Sequence, residues 1–224
     1  MGPRKTTTRE RLITTATELF WRQGYAQTGV NEIIQQARAT SGSFYHFFPA
    51  KEDLLLAVVD HMSEKHQKVV FGGLGDSAAD PIERLFSVFS AYRRHLAAND
   101  FVFGSPLASL SAEVSENHPA VREKLSEVVE GWTSQIEGLL TDAGPRLPVN
   151  TDRRVLARFI VNAMEGGVLQ ARVSRSAAPF DASVTQLRTH FDLLQNDVES
   201  PKAPSLPVRS TPRSEPPVGD WKAW

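Results

Sequence analysis

The sequence predicts an all-α fold in two parts, and three observations carry that prediction. Apolar residues recur at helical spacing through nearly every segment, strand-like alternation is absent, and Thr, Gly and Pro fall where helices start or stop. Residues 1–50 hold three short helices and residues 51–198 hold longer ones, while residues 199–224 carry six of the 14 prolines and predict a disordered tail.

Leu12, Ile13, Ala16, Leu19 and Phe20 form one stripe of an amphipathic helix, and Gly24 lies where a C-terminal stop belongs. Val30, Ile33, Ile34 and Ala37 give a shorter second stripe, with Thr28 as its N-cap. Thr40 caps a third helix running to Tyr45 or Phe47, which Pro49 ends because the residue before a proline is pushed out of the helical region. A fourth helix runs from about Lys51 into the His66 region and breaks at the Gly-rich stretch 71–75. Pro81 opens a fifth, with Ile82, Leu85, Phe86, Phe89 and Leu96 on one face, which fades before Asn99. Two more follow over 105–118 and 119–140, divided at His118 and Pro119, and 144–150 is a loop. A long helix over 152–174 and a last one over about 181–197, with Val184, Leu187, Phe191 and Leu194 at heptad-like spacing, complete the set.

Composition narrows the setting. The absence of Cys excludes disulfides, thiolate metal sites and thiol redox sensing, and fits a reducing cytoplasm. No apolar run approaches the roughly 20 residues of a membrane span, and the stretch MGPRKTTTRERL lacks the apolar core of a signal peptide. The net charge of -1 conceals a segregation: residues 1–51 hold seven Lys/Arg against three Asp/Glu. The basic end is the one that attracts polyanions.

Residues 40–56, TSGSFYHFFPAKEDLLL, set small hydroxyls beside a cluster of aromatics. Two short helices joined by Arg38-Ala39-Thr40 form a helix-turn-helix, whose second helix must be packed by apolar residues yet offer small polar groups to DNA. Phe44 and Phe48, four apart, face inward; Ser41, Gly42 and Ser43 occupy the first turn, where a small side chain lets the backbone approach a groove. Tyr45, His46 and Phe47 project around the exposed side, and Lys51 is a cation at the start of the next helix. A compact helical corner with merely solvated polar residues has the same spacing, so spacing alone leaves both readings open.

Residues 8–55 resemble the DNA-binding domain of the TetR family of bacterial transcriptional regulators, in the Leu-Phe then Gly-Tyr at the end of the first helix, the Tyr of the recognition helix and the Phe-Pro-x-Lys after it. Residues 103–113 and 156–173 are similar to one branch of the family's C-terminal domain. The resemblance implies a homodimer on a partly palindromic double-stranded operator, released when a small-molecule effector enters the C-terminal domain. It implies that Asn31 contacts DNA from the second helix, that Ser41, Gly42, Ser43 and His46 face bases, and that Tyr45 and Lys51 face phosphates. Two positions depart from the family. Phe47 replaces a polar group and offers an apolar contact to a thymine methyl. Arg38 stands where the turn commonly has Gly; a non-Gly residue at positive φ costs about 1 kcal/mol there, against which its guanidinium offers a phosphate contact.

Other chemistry is thin. Asp60, His61, Glu64 and His66 share a helix face, yet without a fixed outer shell they read as solvated charges rather than a metal site. Glu113, His118 and His95 offer acid–base groups, but no nucleophile elbow, Gly-rich phosphate loop or metal-ligand spacing accompanies them, so no enzyme, cofactor or metal is expected. Phe86, Phe89, Tyr92, Phe103, Leu107 and Trp132 are the candidate lining of a mainly apolar effector pocket, and equally what a helical core contains. The expected dimer interface joins Phe159, Ala163, Gly166 and Gly167 of one helix to Leu187, Phe191 and Leu194 of the last; closing the chain's own core is the competing role. A helical protein–protein adaptor and a TetR-like activator remain the alternative functions.

Overall fold

A computed structural model describes residues 6–72, 80–102, 104–105, 110–113 and 118–199. Eight α-helices and no strand are present among these residues: α1 (Thr8–Gln23), α2 (Val30–Gln36), α3 (Ser41–Phe47), α4 (Lys51–His66), α5 (Pro81–Ala97), α6 (Pro119–Asp142), α7 (Arg153–Ser174) and α8 (Ala178–Glu199). Of the predicted break over 71–75, Phe71 ends a π turn and Gly72 follows it, while residues 73–75, most of the predicted helix over 105–118 and the Pro-rich tail lie outside the described residues.

Local chemistry sets the boundaries. Thr7 and Glu10 exchange hydrogen bonds at the start of α1, each backbone N–H donating to the other's side chain at 2.7 and 3.2 Å. Leu12, Ile13, Ala16, Leu19 and Phe20 are all buried. Gly24 ends the helix at φ +90°, a conformation that favours glycine, and a Cβ there would stand 2.8 Å from a Glu113 carboxylate oxygen, which would have to shift. The cap of α2 differs from expectation. Gly29 holds that position, and the Thr28 hydroxyl instead donates to Gly24 O at 2.7 Å, closing the preceding turn. Thr40 does cap α3, its hydroxyl accepting from Ser43 N at 3.1 Å, and Phe48 leaves the helix in extended conformation before Pro49.

α4 joins the two halves. Its first turns bury Leu54, Leu55 and Val58 against α1, and its later turns pack on α6. Past His66 the helix widens into a π turn, Gln67–Phe71, that packs on α5. Asp80 caps α5, accepting from Ile82 N and Glu83 N at 2.9 and 3.1 Å, with Pro81 in the first turn as expected. α7 lies between α6 and α8. The last helix begins at Ala178, three residues before its expected start.

The α7–α8 contact is close because Gly167 has no side chain. A Cβ there would lie 3.2 Å from Phe180 Cα and 3.3 Å from its ring. Gly167→Val therefore drives the two helices apart, and a loss of about 1–3 kcal/mol of stability is expected in denaturant unfolding.

Candidate DNA-binding and effector sites

The helix-turn-helix is anchored from below. Phe44 and Phe48, 0% and 2% exposed, pack 6.1 Å apart beneath α3, with burial of each worth about 1.5–3 kcal/mol. The turn between α2 and α3 passes through Arg38 at φ +49°, so the left-handed conformation that favours glycine is held here by arginine. Arg11, on α1, steadies that turn: its Nε donates to Ala37 O at 3.1 Å and its Nη2 reaches Arg38 O at 3.5 Å. The outer surface that results carries Asn31, Arg38, Ser41, Gly42, Tyr45, His46 and Phe47, all exposed, with Ser43 half-buried and linked to Thr40 through its hydroxyl at 2.9 Å.

Lys51 has an internal partner. Its Nζ donates to Tyr25 O at 2.5 Å and lies 4.1 Å over the Tyr25 ring, tying α4 to the loop after α1. Burial holds its pKa below the ordinary lysine value, partly offset by the nearby Glu113 carboxylate. The same loop is gripped from the larger half: Glu113 Oε2 accepts from Ala26 N at 2.9 Å, and the His118 ring packs edge-on to Tyr25 while its Nδ1 lies 3.3 Å from Glu52. Glu113 and His118, considered for acid–base work, are thus placed as braces between the two halves.

Behind this junction His66 is buried, not solvated as its sequence neighbours suggest. Its ring stacks on Trp132 at 4.3 Å and meets Tyr92 edge-on at 4.9 Å. The imidazole lies between two small cavities. One, of about 40 Å³, is walled by Thr17 and Trp21 of α1, Met62, Lys65, His66 and Val69 from α4 and its π turn, Tyr92 and His95 of α5, and Gly104. The other, of about 10 Å³, has Trp132 and Leu125 in its wall. Of the expected effector residues, Tyr92 and Trp132 line these cavities. Phe86 and Phe89 do not; they pack edge-on at 5.4 Å, and Phe86 meets Phe191 of α8. Phe103 and Leu107 lie outside the described residues.

Desolvation pushes the His66 pKa down to about 3 from 6.5, with the His95 charge a smaller cause. Below pH 6.5 the unfolded chain takes up a proton at this residue that the folded chain refuses, so folding stability falls as pH drops from 6.5 towards 3. At about pH 5 this costs roughly 2 kcal/mol. His66→Phe is expected to remove that part of the pH dependence, measured as the shift in denaturation midpoint between neutral and mildly acid buffer.

The residues expected at a dimer interface divide. Gly167, Leu187 and Phe191 are buried within the chain and close the α7–α8 core, which corrects their assignment to an outer face. Ala163, Gly166 and Leu194 are half-buried, and Phe159 is 54% exposed. Phe159 belongs to an outward stripe with Val155, Leu169 and Val173 on α7, beside Leu193 and Val198 on α8, all exposed.

Residues 12–58 match the model of bacterial regulatory proteins of the tetR family, and residues 81–186 match that of the C-terminal domain of LmrA/YxaF-like transcriptional regulators. The chain is 31% identical over 173 residues to the HTH-type transcriptional regulator LmrA of Bacillus subtilis (strain 168), an alignment covering 76% of this chain and 89% of that protein. The chain belongs to the TetR family. It is a DNA-binding transcriptional regulator and not an enzyme. This TetR-family chain is also 25% identical over 183 residues to the HTH-type transcriptional repressor DhaR of a Mycobacterium species (strain GP1), covering 81% of it and 90% of DhaR. The crystal structure of the regulatory protein TetR from Rhodobacter sphaeroides superposes with a TM-score of 0.73 at 25% identity, over 83% of this chain and 99% of that one. No helix among the described residues of this TetR-family regulator is long and apolar enough to cross a membrane.

Sequence reasoning missed Arg11, His66 and Glu165. Arg11 follows the first-helix cap by four residues and was detectable only as a cation on the flank of an apolar stripe. Glu165 is half-buried beside Tyr92, and desolvation raises its carboxyl pKa, partly offset by side-chain hydrogen bonds with Ser105 and Tyr92.

Proposed function

We propose that this regulator is a homodimeric repressor that leaves a partly palindromic operator when a small, mainly apolar molecule enters its larger half. The observation that carries the release step is the cavity at His66, whose wall combines α1 of the DNA-binding part with α4 and α5. An occupant that prefers a wider separation of these helices draws the population away from the DNA-binding arrangement by its difference in affinity for the two. Without Cys, release does not run through thiol modification. The outward apolar stripe of α7 and α8 supports the dimer, because a second copy related by a twofold axis covers it with an equivalent stripe. The naming of the relative DhaR as a repressor agrees with this direction of control. A transcription assay with and without effector separates repression from activation.

Affinity comes from phosphate contacts, so log K falls against log salt by about 0.9 for each. Lys51→Ala is expected to flatten that slope by about one contact, since the Lys51 ammonium keeps two protons beyond the one given to Tyr25 O. An unchanged slope makes Lys51 a tether alone.

A further inference from the structure

The turn between α2 and α3 sets the angle at which α3 leaves its neighbour. Ala37 caps α2, Arg38 follows at φ +49°, and two backbone bonds fold the chain back: Arg38 N donates to Gln35 O at 3.2 Å and Ala39 N to Ile34 O at 3.0 Å. This pair of bonds around one left-handed residue is the helix stop that glycine usually makes, and here arginine stands in the glycine position. The two bonds use carbonyls from the last turn of α2. The carbonyls of the turn itself, at Ala37 and Arg38, are met from α1.

A single side chain meets both. Arg11 Nε donates to Ala37 O at 3.1 Å, and its Nη2 reaches Arg38 O at 3.5 Å, near the outer limit of a hydrogen bond. The same guanidinium is held at the start of its own helix, Nη1 donating to Thr6 O at 3.3 Å and Nη2 to Thr8 Oγ1 at 3.2 Å. A planar fork fixed at one edge presents its other edge in a set place. Arg11 is half-buried and committed to these acceptors, whereas Arg38 is exposed. Bonds from a charged donor are roughly twice as strong as neutral ones, so Arg11 offsets the cost of holding arginine in the left-handed region.

We propose that Arg11 is a positioning residue for operator reading: its bonds to the turn substitute for the missing glycine and fix the angle at which α3 presents Ser41, Gly42 and His46. Without them the turn relaxes out of the left-handed region, and α3, which begins at Ser41, swings with it. Arg11 acts through the backbone and touches no DNA. The inference rests on α3 as the helix that enters the groove, which Gly42→Trp tests by itself.

The test uses the full chain, a duplex it enriches from a random library and a scrambled duplex of the same length, titrated at several salt concentrations, with circular dichroism to check the helices. Arg11→Ala is expected to lower the ratio of specific to non-specific affinity about tenfold, with the slope of log K against log salt unchanged. Arg11→Lys keeps the charge but not the fork and recovers only part of that ratio. Arg38→Gly removes a cation from all sequences alike but frees the turn from its clamp, so in that background Arg11→Ala changes the ratio by less than about threefold. Should Arg11→Ala fail to fold, Arg11→Lys compared in the two backgrounds reads the same coupling. Full recovery in Arg11→Lys, with the slope lowered by about 0.9 in Arg11→Ala, makes Arg11 a phosphate contact and overturns the proposal. An undiminished ratio in Arg11→Ala, or an equal loss in the Arg38→Gly background, overturns it as well. If Gly42→Trp abolishes specific binding while Arg11→Ala leaves the ratio intact, this inference alone falls; if Gly42→Trp binds specifically, the α3 reading beneath it falls too.

Discussion

Gly42→Trp is expected to reduce DNA affinity to its non-specific level, a loss of at least about a thousandfold, while the protein keeps its thermal midpoint. Gly42 sits in the first turn of α3 on the exposed face, and the nearest atom to a Cβ built there is Thr40 Oγ1 at 4.0 Å. The fold therefore has room for an indole. The major groove does not, because that face must approach base edges closely enough for hydrogen bonds from Ser41 and His46. Gel-shift titrations at two salt concentrations separate the lost specific term from the retained phosphate term. Full specific affinity in Gly42→Trp means that another surface enters the groove.

Phe159→Glu is expected to turn the proposed dimer into a monomer and, through that, to weaken operator binding by about 10²–10⁴-fold, because two linked half-site contacts would become one. The side chain is 54% exposed in the single chain, so a carboxylate there meets water and leaves the monomer's core intact. Across a twofold interface the same change buries charge in an apolar stripe with Val155 and Val173. Light scattering reads the mass, and far-ultraviolet circular dichroism checks the helices. A Phe159→Glu protein that stays dimeric places the interface away from this face.

Periodicity made the helices legible because each buries one stripe: Leu12 to Phe20 and Ile82 to Leu96 were found on the faces they occupy. The Thr40 cap and the Phe44–Phe48 anchor were equally plain, since both are local. What periodicity does not encode is which neighbour covers a stripe. Leu187 and Phe191 repeat as an interface would, yet Phe191 meets Phe86 of the same chain. His66 was obscured for a related reason: its near neighbours Asp60 and Glu64 are exposed, while its own partners, Trp132 and Tyr92, come from helices distant in sequence. Thr28 satisfied the pattern of an N-cap, but its hydroxyl found Gly24 O one turn back.

Selection of bound sequences from a random duplex library, followed by footprinting of the enriched site, tests the central claim most directly. A twofold operator reader enriches a near-palindrome and protects two half-sites on one face of the duplex, about one turn or roughly 34 Å apart, and Gly42→Trp removes that protection. Enrichment of sequences without twofold symmetry, or protection that survives Gly42→Trp, contradicts it.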